Sequence, residues 1–356
     1  MRANHTIVTL GILSWVVAFG LGCNDGTSSA PVESTPLAEP AATDAETPGR
    51  ASAKTGLLEI AVIPKGTTHV FWKSIHGGAV RAEQELDGVR ITWKGPIKED
   101  DRDEQIKVVQ NFINIGVAGI AIAPLDDTAL VSHVREAVQE DIPVVVFDSG
   151  LKGEPGKDYV SYVSTDNYKG GVLGAKRLAE VLGETGRIIL LRYQVGSAST
   201  DNREKGFLDE IKKYPNIEVV SDNQYAGATS ETAQRKSENL LNRFTDIDGI
   251  FCPNESSTFG MLLALRSAYR VSKVKFVGFD SSPKLVEAMR QGELHGLVLQ
   301  DPLRMGYLAV KTMVAHLRGE SVRQRIDTGV HMATPENMDT QAMRDLLSPP
   351  FQKYLN

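Results

Sequence analysis

The sequence predicts an α/β protein built as two doubly wound parallel-sheet lobes. Three observations carry this expectation. Short apolar, β-rich runs alternate with amphipathic helical segments along roughly 300 residues, enough chain for two ordinary domains. The alternation restarts near its midpoint, so two sets of strands of similar size emerge. The amphipathic helical segments between the runs supply the crossovers that parallel pairing requires and cover the sheets on both faces.

The first set begins at 57–63, Leu-Leu-Glu-Ile-Ala-Val-Ile, stopped by Pro64. The segment 71–86 carries Phe71, Ile75, Ala79, Ala82 and Leu86 at helical spacing on one face. A strand at 89–93, a helix at 103–115 and a strand at 119–123 ended by Pro124 follow; a helix at 128–140 and a strand at 143–147 complete the group. A strand at 159–164 leads to Asp166-Asn167, which caps a helix running through Gly170-Gly171 to Leu182. The second set has strands at 187–191, 218–220, 249–251, 275–279 and 296–299.

The amino-terminal segment reads differently. Arg2 and His5 precede an apolar run from Ile7 to Leu21, and Gly22-Cys23 follows, the pattern of a secretory signal with a cysteine at its cut. We therefore expect a signal peptide over 1–22, a lipid on Cys23, and a location outside the cytoplasm (periplasm or cell surface, held to a membrane by the lipid). The rest of 23–55 is Ser, Thr, Pro, Ala, Gly and acidic residues, the composition of a flexible tether. A plain signal or an uncleaved anchor is the competing reading. With Cys23 modified, Cys252 is left alone and no intrachain disulfide is available.

Composition excludes several function classes. The chain has 45 acidic and 39 basic residues and no basic block interleaved with aromatics, so no nucleic-acid partner is expected. Its seven histidines are scattered without metal-ligand spacing or a nucleophile beside them; the sequence points to neither a metal centre nor an enzyme. Gly170-Gly171 lacks the GxGxxG context of a dinucleotide site, and no cofactor is expected. Cys252 reads as a buried thiol.

Open parallel sheets bind ligands beyond the carboxyl ends of their strands. Those ends are polar here: Pro64-Lys65-Gly66, Asp148-Ser149, the stretch 196–203 with Asp201 and Arg203, Pro253-Asn254-Glu255, Asp280, and Gln300-Asp301. Acids accept hydrogen bonds, the Arg203 guanidinium donates as a fork, and the carboxamides of Asn254 and Gln300 do both, a mixture suited to several hydroxyls at once.

The fragments AVIPKGTTHVFWKSIHGGA, IPVVVFDSG, VSTDNYKGG, NREKGF, IFCPNESSTFG, FVGFDSSP and LVLQDPLRMG, in this order and spacing, resemble the ribose-binding branch of the type I periplasmic sugar-binding proteins over 57–334. The resemblance implies two lobes joined by three crossing segments, near 163–165, 300–301 and 328–329. They close on a monosaccharide for delivery to an ABC-type importer, the protein acting as a monomer with a membrane permease as partner. It divides the body into a first lobe of 56–163 plus 301–328 and a second of 164–300 plus 329–356. Carried over by position, the first-lobe contacts are Lys65, His69, Phe71, Trp72 and Asp148; the second-lobe contacts are Arg203, Asn254, Asp280 and Gln300, with Glu255 filling the pocket. His69 and Ser149 depart from the ribose pattern, where an amide and an arginine are usual. Lys65, Asp148, Asp201-Asn202 and Pro253 also resemble a sister group that binds rhamnose or a furanosyl quorum-sensing signal, so both pocket types stay open, as does a sensory role without transport.

Each residue has a plainer role to weigh. Phe71 fits core and ligand contact equally, whereas Trp72, off the apolar stripe, is expected to stack on a sugar face. Asp148 and Asp280 fit N-caps as well as ligand acceptors; two independent strand ends favour the ligand. With Asp148, Asp201, Glu255 and Asp280 against Lys65 and Arg203, a neutral polyol is expected rather than an anionic one.

Overall fold

A computed structural model of the chain describes residues 56–355; the expected signal peptide, Cys23 and the tether lie outside the described residues. Within them, β1 (Leu58–Ile63), β2 (Val89–Trp93), β3 (Gly119–Ile122), β4 (Val144–Phe147), β5 (Ser161–Ser164) and β11 (Arg325–Asp327) form one sheet, in the order β11-β5-β4-β3-β1-β2 and parallel throughout. A second sheet holds β6 (Thr185–Arg192), β7 (Asn216–Tyr225), β8 (Gly249–Phe251), β9 (Lys275–Phe279), β10 (Gly296–Leu299) and β12 (His331–Ala333), in the order β12-β10-β9-β8-β6-β7; only the edge strand β12 runs antiparallel. The two orders are the same pattern repeated, so β4 and β9 hold equivalent places.

Burial explains the strand composition. Every residue of β3, β4 and β10 is buried, which is why those runs are unbroken Val, Ile, Leu, Ala, Gly and Phe. The first sheet is covered on one face by α1 (Val70–Glu85) and α9 (Pro302–Leu317), and on the other by α2 (Arg102–Ile115) and α3 (Val131–Gln139). The second is covered on one face by α4 (Asn167–Leu182) and α5 (Ala198–Ile211). Its other face carries α6 (Ser230–Arg243), α7 (Glu255–Ser267), α8 (Pro283–Arg290) and α10 (Gln341–Leu347). Helix starts follow capping chemistry. The Asp101 side chain accepts from Glu104 N and that of Asp166 from Lys169 N, while Gly116 and Gly183 close α2 and α4 in the left-handed conformation. The helix expected from 128 begins instead at Val131, because the Asp126 carboxylate takes the amides of Thr128 and Ala129 and holds them in a turn.

In each lobe one helix pair is drawn together by glycine. Gly78 of α1 lies against the carbonyl of Leu303 in α9, and Gly306 of α9 against that of Ile75; a Cβ at either position would collide with backbone. The second lobe repeats the device: Gly171 of α4 meets the carbonyl of Arg203 in α5, and Gly206 of α5 that of Tyr168.

The chain passes between sheets from β5 to α4, from β10 to α9 and between β11 and β12. The last segment departs from expectation. The resemblance places residues 329–356 wholly in the second lobe, and α10 packs there through Leu346 and Leu347. The chain then turns at Pro349-Pro350, and Phe351 and α11 (Gln352–Leu355) return to α1 of the first lobe, with Phe351 seated on Gly77. A Cβ at Gly77 would collide with the Cβ and backbone of Phe351, so the glycine lets the tail approach α1 closely, and the tail touches both lobes. No helix among the described residues is long and apolar enough to cross a membrane.

Candidate functional site

The carboxyl ends of the two sheets face each other across a small cavity walled by both lobes. Every predicted site residue lines it except Asp201. A wider, open groove of about 460 Å3 lies at the opposite, amino ends of β4 and β5, but exposed residues such as Val138 and Lys157 line it. The small cavity is the one where buried polar groups converge.

Two aspartates mark its centre. Asp148 follows β4 and Asp280 follows β9, the equivalent strands of the two sheets, and both adopt the left-handed backbone conformation, with φ of 58° and 66°. That conformation costs a non-glycine residue roughly 1–3 kcal/mol and persists where the surroundings impose it. Asp280 does not stand at the N-cap position of the helix that follows it, which is Ser282; its carboxylate instead accepts from Glu255 N, the first amide of α7, at 3.2 Å.

On the first-lobe wall, Lys65 is buried, and its ammonium donates to Ser197 Oγ and Ser199 Oγ, both at 3.1 Å and both on the second lobe, with Asp148 Oδ2 at 3.5 Å. Burial lowers the Lys65 pKa and raises that of Asp148, each opposed by the charge of the other. His69 precedes α1 and places Nδ1 2.6 Å from Glu99 Oε1. Burial alone would lower the His69 pKa, but the hydrogen bond and charge of Glu99 outweigh it and raise it to about 9. Glu99 also accepts from Trp72 Nε1 at 2.8 Å and from the Tyr193 hydroxyl at 2.6 Å; against burial, these donors hold it at about 2. Phe71 and Trp72 meet edge to face, ring centres 5.0 Å apart, and both line the cavity while packing into the core.

On the second-lobe wall, Arg203 is held within its own lobe. Nε donates to Asn167 Oδ1 at 2.7 Å, Nη1 donates to the Pro253 carbonyl at 2.9 Å, and the guanidinium lies 3.9 Å above the centre of the Phe279 ring. Asp280 Oδ2 is 3.8 Å from Nη1, and Asp280 Oδ1 accepts from Gln300 Nε2 at 2.7 Å. Burial raises the Asp280 pKa against the Arg203 charge. Asn254 caps α7, its carboxamide oxygen accepting from Ser257 N. Glu255 accepts the amide of Phe71 across the cleft at 3.3 Å, and burial raises its pKa to about 7. Among the described residues Gln300 Oε1 is buried without a hydrogen-bond partner. An acceptor in that state beside a cavity is suited to a donor from a bound molecule.

A family model described as periplasmic binding protein domain matches residues 60–321. The chain belongs to that family. Its members bind solutes outside the cytoplasm and are not enzymes. Among curated relatives, the D-allose-binding periplasmic protein of Escherichia coli is 29% identical over 261 residues, covering 72% of this chain and 83% of the relative. The ribose import binding protein of the same bacterium is 28% identical over 267 residues, covering 75% and 87%. Among solved structures, an ABC transporter solute binding protein from Agrobacterium vitis with bound D-fucose matches at 34% identity and a TM-score of 0.79, covering 82% of this chain and 100% of that one. A carbohydrate transporter solute binding protein from Agrobacterium radiobacter with D-arabinose matches at 32% and 0.79, covering 83% and 100%. The two-lobed fold read from the strand pattern is the fold of these structures.

Against this binding-protein frame, one expected residue is displaced and four are added. Asp201 is exposed on the first turn of α5 and stands outside the cavity. Residues two apart on a helix point to nearly opposite sides, so Arg203 facing in turns Asp201 out. Residues three and four before Arg203 share its face, and Thr200 and Ser199 line the cavity there. Helical periodicity applied to the stretch 196–203 would have found them. Glu99 lies in the loop after β2, and Tyr193 directly follows β6; the first stands six residues beyond its strand, and the second reads as one more apolar strand residue.

Proposed function

We propose that this binding protein captures a neutral monosaccharide, a ribose-like pentose or a hexose, outside the cytoplasm and presents it to an ABC-type importer. The observation that carries the reading is the arrangement around Asp280: a buried carboxylate, the Gln300 carboxamide with a free acceptor, and the fixed Arg203 fork converge on one cavity beside Phe71 and Trp72. Such groups accept from and donate to adjacent hydroxyls, while the rings cover an apolar sugar face. Charge supports neutrality. Lys65, His69 and Arg203 face Glu99, Asp148, Glu255 and Asp280, and Lys65, His69 and Glu99 are paired by protein partners. Relatives named for D-allose and ribose, and structures holding D-fucose and D-arabinose, agree with a neutral pyranose or furanose.

The residues in contact with the sugar are proposed to be Asp148, Arg203, Asn254, Glu255, Asp280 and Gln300, with Phe71 and Trp72 stacking. Isothermal titration against D-allose, D-ribose, D-fucose, D-arabinose, L-rhamnose and a sugar phosphate tests this. Binding of at least one neutral sugar and rejection of the phosphate is the expected result; tight binding of the phosphate alone, or of nothing, overturns it. Rhamnose is in the panel because Lys65 does stand at the cavity wall, although its ammonium already has three protein partners.

Anchoring through a lipid on Cys23 and action as a monomer belong to the same proposal, the latter because one chain supplies the whole cavity wall. Cys23→Ser is expected to move the protein from the detergent phase to the aqueous phase with sugar affinity unchanged; a variant still retained in detergent would remove the lipid.

A further inference from the structure

The hydrogen-bonding capacity of two charged groups in the cavity wall is already taken up, and each has at least one partner on the opposite lobe. Lys65 has three donor hydrogens. Ser197 and Ser199 of the second lobe accept from its ammonium, and Asp148 stands beside it. Glu99 accepts from His69 and Trp72 of its own lobe with one oxygen, and from Tyr193 of the second lobe with the other. Its backbone carbonyl accepts from Gln194 of the second lobe at 2.9 Å. Nearby, Ser149 Oγ of the first lobe accepts the amide of Ser199 at 3.2 Å. These bonds cross the cleft and exist only while it is shut. Arg203 and Asp280, by contrast, take these bonds from inside one lobe.

We infer that Lys65 and Glu99 are latches between the lobes, which set how tightly any sugar is held without deciding which sugar it is. The inference rests on the sugar-binding reading and adds a division of labour to it. A latch changes the fraction of protein in the closed, binding-competent state, and that fraction multiplies the affinity for every ligand by the same factor. A group that touches the sugar changes the ratio between sugars that differ at the hydroxyl it meets. Lys65 thus ceases to mark the rhamnose-type pocket: its loss would weaken binding in either pocket type.

The test leaves both charged residues in place and removes their partners. Tyr193→Phe deletes the hydroxyl bonded to Glu99, and the pair Ser197→Ala/Ser199→Ala deletes the acceptors of Lys65. Gln194→Ala acts from outside the cavity and stays informative should either of the others fail to fold. Affinities for a strong and a weak sugar of the panel, and for a deoxy analogue of the strong one, are measured by titration. We expect Tyr193→Phe and the serine pair each to weaken binding of all three ligands about 10-fold, and Gln194→Ala about 3-fold, with the ratios between ligands held to within about twofold. Ratios that shift severalfold make these residues sugar contacts and overturn the inference alone; so do unchanged affinities. Wild-type protein that binds no sugar at all removes the sugar-binding reading and this inference with it.

Discussion

The two halves of the cavity start from the same part and diverge. Each sheet ends its third strand from the mixed-lobe edge in an aspartate with positive φ beside a basic residue, Asp148 with Lys65 in the first lobe and Asp280 with Arg203 in the second. The first-lobe cation reaches across the cleft to two serines, whereas the second-lobe cation is tied to Asn167, Pro253 and the Phe279 ring of its own lobe. A repeated backbone position therefore supplies the same carboxylate twice and leaves the neighbouring cation free to do different work. The helices repeat the lesson. The helix bearing Phe71 and Trp72 and the helix bearing Arg203 are each locked by a glycine pair to a helix that begins just after a crossing between lobes, α9 and α4. In both lobes the wall helix is packed directly against the helix that follows a crossing.

The strongest way to break that equivalence is at the glycines. Gly171→Ala drives a methyl group into the Arg203 carbonyl and Gly78→Ala drives one into that of Leu303, so each is expected to cost about 3 kcal/mol of stability in denaturant unfolding, at the upper end of overpacking penalties. If one lobe tolerates the change with a loss below about 1 kcal/mol, the two clamps are not mechanically alike.

At the next level of effect, Arg203→Ala and Asp280→Ala should each weaken binding of the cognate sugar by roughly 1.5–3 kcal/mol, because a charge-assisted bond to a hydroxyl in a closed cavity has no water to replace it. The fold should survive Asp280→Ala, which also relieves none of the positive-φ strain. Normal titration by both variants would remove the second-lobe wall from the site.

The smallest effect is in pH. His69 has its folded pKa raised to about 9 from an ordinary 6.5. The stability it contributes is thus fully present below about pH 6.5 and lost as pH rises through about 9. Glu99, lowered to about 2 from 4.5, contributes stability that is present above about 4.5 and lost as pH falls through about 2. Glu255 is raised, to about 7, so its contribution runs the other way for a carboxylate: stability declines between about pH 4.5 and 7 and is flat above. Thermal melts of His69→Gln should lose the alkaline slope, and those of Glu255→Gln the slope between 4.5 and 7, each by about 1–2 kcal/mol. Slopes identical to wild type would mean that these groups do not titrate as their contacts indicate.

Much of the fold was legible because buried parallel strands must be apolar on both faces, and the runs 119–123, 143–147 and 296–299 carry that requirement in every residue. β11 and β12 were not, since three residues such as Arg325-Ile326-Asp327 are too few to show a pattern. The return of Phe351 to Gly77 was hidden for another reason: a contact between residues so far apart in the chain leaves no local trace. In the site, strand ends pointed to Lys65, Asp148, Asp280 and Gln300, because topology alone directs them inward. Glu99 escaped because its position is fixed by the partners it meets in three dimensions, and Asp201 misled because adjacency to Arg203 in the chain is opposition on a helix.

The tail has one more consequence. β1 opens the described body in the first lobe, and α11 closes it against α1 of the same lobe. Whatever grips the chain before residue 57 or after Leu355 therefore grips the same half. Held by either terminus, the molecule is gripped through its first lobe, and the lobe that carries Arg203 and Asp280 lies away from the grip. Surface coupling through an end, or a reporter domain joined there, would leave the second-lobe wall of the cavity untouched.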